Sequence, residues 1–328
     1  MRALVFDVGG THVRGGLWRA QDSSLEHRVV RPSPGVDRTG TRDPVVELVE
    51  LLGSIGDELV EGREPANVVG VAFPGPVDAD GRVTNAPTLW GATRGEPIDL
   101  ASLVSRRHGG LPARVANDLT AAGYRHRGPD SDFCIVTVSS GIGNKVFLAG
   151  EPVVGPRGLG GEMGHWRVDD SPDAPLCECG ARGHLGAIAS GRATAHHVRA
   201  LAGELEAEHR ASPIDAAAEE IDNVMVAAAF RDGDAFARAV VGRGAAALGK
   251  ALALVHAAIG VERFVVMGGF ARALGPDYLD RLALEAADGS WATHEQWRDW
   301  IEAAPPDDDS GLIGMGRLLE RRFVEGCA

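Results

Sequence analysis

The chain has 328 residues, of which 44% are hydrophobic and 24% charged, and its formal net charge is −13. That length suits two domains of ordinary size better than one core, and the acidity disfavours a main role on nucleic-acid backbones. No stretch reads as the roughly 20 apolar residues that cross a bilayer, and the start, MRALVFDVGG, lacks a signal-peptide core, so a cytoplasmic protein is expected.

Residues 3–8 read as a buried strand ending in an acid, and Gly9-Gly10-Thr11 as a turn into a second strand over 12–19, together a hairpin. Apolar spacing predicts a helix over 44–61, a strand over 67–73, a helix over 96–107 and a strand over 113–116 that runs into Asn117-Asp118. Helix resumes over 119–126. A second cycle follows, with a strand over 133–138, a glycine turn from Ser139 to Asn144 and a strand over 145–149. Residues 155–187 are loop-rich. Helices are expected over 189–209, 214–230 and 234–259, then a strand over 263–267 ended by Gly268-Gly269. Pro305 to Ser310 reads as an exposed turn, and the tail from about 311 as an amphipathic helix that packs back on the first domain. The repeat of strand, glycine turn and strand suggests two domains built alike.

Five constellations carry chemistry. In Asp7-x-Gly9-Gly10-Thr11, an acid at a strand end suits Mg²⁺ through water, and glycines let backbone approach phosphate oxygens. In Asn117-Asp118, a carboxylate at a helix start stays ionised and suits a general base; taken alone, the same Asp reads as a helix N-cap. Ser139-Ser140-Gly141-Ile142-Gly143-Asn144 suits distal phosphates from the second domain, and Gly268-Gly269 a close-lying adenine or ribose. Each glycine motif by itself also reads as a plain turn. The most specific cluster joins Gly161-Glu162-Met163-Gly164-His165 to Cys177-x-Cys179 and His184. Two Cys and two His complete a closed tetrahedral zinc site, which implies a structural metal. The four cysteines include a pair two residues apart, which favours a metal over a disulfide framework.

In this combination and order the chain resembles the ROK family of sugar kinases and related repressors, within the actin-like ATPase superfamily. The resemblance runs from Asp7 to about Gly269. It implies an α/β fold of two ribonuclease-H-like domains around a central cleft. We expect a smaller domain over 1–117, with the C-terminal helix at about 311–326 packing back, and a larger one over 118–310 that carries the zinc loop. It implies ATP and Mg²⁺ as well as structural Zn²⁺, with Asp118 as the base. Asp7, Gly9, Gly10 and Thr11 would serve the ATP side, with Ser140, Gly141, Gly143, Gly268 and Gly269. Asn85, Asn117, Asp118, Glu162 and His165 would bind the acceptor. His165, Cys177, Cys179 and His184 would hold zinc. A homodimer or larger homo-oligomer is implied, and the kinase motif begins at once, without a helix-turn-helix.

The departures concern the acceptor pocket. The family's last zinc ligand is usually Cys, where this chain has His184. Its sugar-binding Glu two positions later is Gly186 here, and its Ala-Pro-Asn contact reads Ala86-Pro87-Thr88, with Asn85 as a partial replacement. The second phosphate turn, usually richer in glycine, continues with Asn144-Lys145. Buried polar groups must be matched to a substrate's hydroxyls, so these changes point away from plain glucose, toward a C7 cyclitol, an aminocyclitol or a modified hexose. A plain glucokinase and a catalytically silent sugar sensor are the alternatives. A zinc hydrolase is disfavoured by the closed ligand set.

Overall fold

A computed structural model of the chain describes residues 1–34, 43–84, 86–90, 96–128, 131–323 and 326. The first elements are β1 (Arg2–Val8), β2 (His12–Arg19), β3 (Ser24–Pro32), α1 (Pro44–Val60), β4 (Val68–Phe73), α2 (Pro87–Trp90), α3 (Leu100–Arg107), β5 (Ala113–Asn117) and α4 (Asp118–His126). The next are β6 (Phe133–Val138), β7 (Ile142–Leu148), β8 (Glu151–Pro152), a 3₁₀ turn at Met163–His165, α5 (Gly186–Ala189), α6 (Ala193–Glu204), α7 (Glu206–Ala211), α8 (Asn223–Arg231) and α9 (Ala235–Ile259). The last are β9 (Phe264–Met267), α10 (Gly269–Leu274), α11 (Pro276–Asp288), α12 (His294–Trp300), β10 (Ile301–Ala303) and α13 (Ser310–Phe323).

The chain divides into two compact units. The first comprises Met1–Pro129, Pro152–Gly160 and Asp307–Ala328, and the second Asp130–Glu151 and Gly161–Pro306. Helix α4 thus belongs with the first unit, because α13 packs along it. The sheet of the first unit has the order β3-β2-β1-β4-β5, and that of the second β10-β9-β6-β7-β8. In each, an antiparallel hairpin (β1–β2, β6–β7) is extended by parallel strands on its other side (β4 and β5, then β9 and β10). The repeated pattern in the sequence is therefore a repeated topology.

Local chemistry explains the elements of the first unit. Asp43 caps α1 by accepting from Val45 N, Pro44 opens it, and Val45, Leu48, Val49, Leu52, Ile55 and Leu59 form its buried stripe. All of these but Val45 join Phe6, Val71 and Phe73 in one apolar core. Helix α13 approaches β1, β2 and α4 through glycines. A Cβ on Gly314 would stand 1.8 Å from the Ala121 carbonyl oxygen, and one on Gly316 would stand 2.2 Å from the ring of buried Trp18.

In the second unit α9 is the central helix, capped by Asp234 and ended by Gly260 at φ 74°. It is the one helix among the described residues that is long and apolar enough to cross a membrane, where no such stretch was expected. Phe236, Val240, Leu248 and Leu252 on it are buried in this unit's core with Val136, Phe264 and Trp297, as suits a core helix.

Several boundaries differ from the sequence reading. Helix α3 starts at Leu100, because Ile98 exchanges backbone hydrogen bonds with Val83 and Asp99 then caps the helix. The helix expected over 189–209 is broken after Ala189, where Gly191 N donates to Ser139 O. Of 214–230 only α8 is helical, starting where Asp222 accepts from Val224 N. The second glycine turn is shorter than expected, since Gly143 and Asn144 already belong to β7.

Replacing Gly314 by Ala should cost about 1–3 kcal/mol of stability, as overpacking against fixed backbone does. Urea denaturation of the purified variant checks this, and an unshifted midpoint would mean that α13 is free to move outward.

Candidate active site

The first unit holds Asp7 at the end of β1, opposite Arg14 in the hairpin register. Its turn is closed by Gly9 N donating to His12 O at 2.9 Å. Ser33, 5% exposed, clamps the turn from behind: its N donates to Thr11 O at 2.9 Å and its hydroxyl donates to Gly9 O. Gly10 and Thr11 face solvent. The Asp7 carboxyl lies against Gly311, where a Cβ would stand 2.6 Å from its Cγ. Burial pushes its pKa up to about 6; Arg14 opposes this and Asp308 adds to it. A carboxyl whose pKa is raised by its surroundings gains from a nearby cation, so Asp7 fits a Mg²⁺ site.

Residues 307–309, expected as an exposed turn, are held by three arginines of the same unit. Asp307 pairs with Arg125, Asp308 with Arg14 at 3.5 Å, and Asp309 with Arg28 through two bonds of 2.8 and 2.6 Å. The sequence did not mark Asp308 and Ser33 as neighbours of Asp7 and the Gly9–Thr11 turn. Both are remote in sequence, and only the fold brings them to it.

At the end of β5 the cap of α4 is Asn117, not Asp118. The Asn117 Oδ1 accepts from Leu119 N and Thr120 N, both at 3.1 Å, and its Nδ2 donates to Gly75 O at 3.1 Å. Asp118 is the first helical residue. Its Oδ1 accepts from Leu119 N at 2.8 Å and from Asn117 Nδ2 at 2.9 Å. The helix N-terminus favours the ionised form and the two donors fix the carboxylate's orientation. Asn117 is thus the cap, and the Asp118 carboxylate sits beside it at the start of α4.

In the second unit Ser139 N donates to Gly141 O at 3.0 Å, which makes the turn that presents Ser140 and Gly141. Gly268, at φ 107°, is pressed against β6, where a Cβ would stand 2.4 Å from Val138 O, and Gly269 lies near the Ser139 hydroxyl. The fold therefore brings Gly268 and Gly269 beside Ser139, at the turn that holds Ser140 and Gly141, while Gly143 lies in β7. Arg192, which the sequence did not single out, also reaches this turn; its guanidinium lies 3.5 Å from the position of a Gly141 Cβ and pairs with Glu178.

Glu162 and His165 flank the 3₁₀ turn, where His165 N donates to Glu162 O at 2.9 Å and Met163 N to Asn144 Oδ1 at 3.0 Å. Burial raises the Glu162 carboxyl, against the opposing charges of Lys145 and His165. The ligand atoms of His165, Cys177, Cys179 and His184 all lie within 4.8 Å of one another. Cys177 Sγ is 3.9 Å from His165 Nδ1, and Cys179 Sγ is 3.2 Å from His184 Nδ1. The loop is folded for this purpose: Cys177 N donates to Ala181 O, and Gly180 N to Cys177 O. Gly183, at φ 74°, crosses so close to Asp169 that a Cβ would meet its carbonyl at 1.8 Å. A closed Cys₂His₂ donor set of this size is consistent with a structural zinc. Asn85 and the Thr88 side chain lie outside the described residues.

The ROK family profile matches residues 3–322. The chain belongs to the ROK family. It is 43% identical over 335 residues to a C(7)-cyclitol 7-kinase of Streptomyces hygroscopicus subsp. jinggangensis, spanning 98% of this chain and 94% of that protein. It is 28% identical to an N-acetylmannosamine kinase of Haemophilus influenzae (strain PittGG), over 96% and 94%. Among solved structures it resembles a ROK family glucokinase from Streptomyces griseus in complex with glucose and AMPPNP, at 24% identity and a TM-score of 0.74, covering 97% of this chain and 99% of that one. The α/β fold with two mixed five-stranded sheets is thus the ROK and actin-like ATPase fold. Within it, Gly186 opens α5, and its Cα faces the Gly164 carbonyl, which a Cβ would approach to 3.1 Å. The family's carboxylate is missing at this position.

Two outcomes are expected. Elemental analysis should find one zinc per ROK chain, lost with a lower Tm in Cys177→Ser or Cys179→Ser; a zinc-free purified protein would overturn the assignment. Asp7 carries the opposite sign from a salt-bridged acid. Its folded pKa exceeds the unfolded value, so stability falls as pH rises from about 4 through about 6. In metal-free buffer at pH 7, Asp7→Asn should therefore be the more stable form, by up to about 3 kcal/mol. Melts across that pH range should show a flatter profile for the variant.

Proposed function

We propose that this chain transfers the γ-phosphoryl group of ATP to a hydroxyl of a C7 cyclitol, with Asp118 as the general base. One observation carries the reading: an acid held by two donors at the start of α4, in a chain 43% identical to a protein named C(7)-cyclitol 7-kinase. A sensor needs no base, and the retained Asp118 speaks for an enzyme.

Asp118 takes the proton of the attacking hydroxyl at its carboxylate, while Asn117 keeps that carboxylate in register. Glu162 and His165 accept and donate hydrogen bonds to the acceptor's other hydroxyls, with Asn117 beside Asp118 and Asn85 as a further contact. The backbone N–H groups of Gly10 and Thr11 bind phosphate oxygens, with Gly9 shaping their turn, and Ser140, Gly141 and Gly143 serve the same group. Gly268 and Gly269 leave room for the nucleoside. Asp7 would hold Mg²⁺ through water, where the cation would supply charge neutralisation for the transferring group. His165, Cys177, Cys179 and His184 would hold zinc, which would fix the turn that carries Glu162. We place the reaction in the cytoplasm, where ATP is available, in a homodimer or larger assembly.

The glucose in the related glucokinase structure keeps a plain glucokinase as the second reading. Gly186, which offers no carboxylate, favours the cyclitol. Parallel assays of ATP turnover with glucose, N-acetylmannosamine and a C7 cyclitol separate the two. The cyclitol should lead in kcat/KM by about tenfold or more, the scale of a lost or gained hydrogen-bond match; a lead for glucose overturns the substrate assignment. Asp118→Asn should lower kcat by about 10²–10⁴, the usual worth of a general base, with nucleotide affinity retained.

A further inference from the structure

Lys145 is a charged residue in an apolar place. It lies on β7, paired with Ile135 of β6, and is only 2% exposed. Burying an ammonium is costly, so the fold must gain something from its charge. Its neighbours on β7 point to the opposite face. Asn144 there accepts from Met163 N, and Val146 enters the helical core. Lys145 instead reaches the segment that precedes the 3₁₀ turn. A Cβ on Gly161 would stand 3.1 Å from Lys145 Nζ and 3.3 Å from its Cε. Gly161 also has φ 90°, and its missing side chain would collide with Asn144 O at 2.6 Å. The backbone that delivers Glu162 is therefore packed against two consecutive residues of one strand. The Asn144 side chain holds it at Met163 N, and the Lys145 ammonium lies against Gly161. The Lys145 charge also acts directly on the Glu162 carboxylate.

We propose that Lys145 is a positioning residue for the acceptor, and that its buried ammonium beneath Gly161 holds the Glu162 carboxylate in the place and orientation that binds the acceptor's hydroxyls. This rests on the reading of Glu162 as an acceptor ligand. Two interactions act together. The aliphatic stem fills the space under Gly161, and the charge attracts the carboxylate. A neutral residue of the same length keeps the first and loses the second.

The test is steady-state kinetics of the full chain with ATP and a C7 cyclitol, on Lys145→Met, Lys145→Arg, Glu162→Gln and the double variant Lys145→Met/Glu162→Gln. Lys145→Met should raise the KM for the cyclitol about tenfold, with the KM for ATP within about twofold of the parent, and Lys145→Arg should recover most of the loss. In the Glu162→Gln background, Lys145→Met should add little, because the partner it acts through is already neutral. If Lys145→Met does not fold, Lys145→Gln serves the same comparison. An unchanged cyclitol KM in the Lys145 variant, or an equal loss in both backgrounds, overturns the proposal. A Glu162→Gln variant with unchanged cyclitol KM overturns the acceptor role of Glu162 itself, and the proposal with it.

Discussion

The close approach of α13 to the rest of the first unit is the constraint on which this unit's site depends. Gly311, Gly314 and Gly316 face the Asp7 carboxyl, the Ala121 carbonyl and the Trp18 ring, respectively. From the other side, Gly70 on β4 leaves room for Met315 and Leu319. No side chain larger than hydrogen fits at these points without a shift of backbone or ring. The reward is dense packing around Trp18, whose Nε1 donates to Glu320 at 2.9 Å. The same approach crowds Asp7, so the packing that stabilises the unit also helps raise the pKa of the acid beside the Gly9–Thr11 turn.

Electrostatics then lock the segment that leads into that helix. Asp307, Asp308 and Asp309 are an acidic run that repels itself in isolation. Three arginines drawn from α4, β2 and β3 divide it, one to each carboxylate. Individually such pairs at a surface are weak. As a set they fix the direction in which α13 starts, and Asp308 is left close enough to raise the Asp7 pKa. The acidic run is thus a structural clasp and an electrostatic neighbour of the site at once.

Much of this was legible in the sequence because it is local. The hairpin β1–β2, the helices α1 and α9 and the Asn117-Asp118 pair follow from periodicity, capping residues and short glycine turns. The Cys177, Cys179 and His184 spacing announced the metal cluster, and the ligand atoms of these residues and His165 do converge. What escaped was set by distant partners. Ser33 clamps the turn across 22 residues of chain from Thr11, and nothing around it in sequence marks it. The triple Asp read as a solvated turn because its arginines lie hundreds of residues away. Asn144 read as the end of the turn, although β7 had already begun there, and the burial of Lys145 within the expected strand was not foreseen. Strands β3 and β10 were missed as well, being sheet edges that lean on neighbours more than on their own pattern.

The discontinuity of the first unit also has a bearing on how the protein is made. Its sheet and α4 are complete by residue 128, but the helix that covers β1 and α4 begins at residue 310, after the whole second unit. At roughly 5–20 residues per second, the ribosome holds the half-finished unit for about 10–35 s before its closing helix emerges. During that interval the faces of Trp18 and Gly70 that α13 covers lack their partner. The second unit has all of its own segments in hand first. The order of translation therefore lets the second unit be completed earlier, and leaves the surroundings of Asp7 to be completed last.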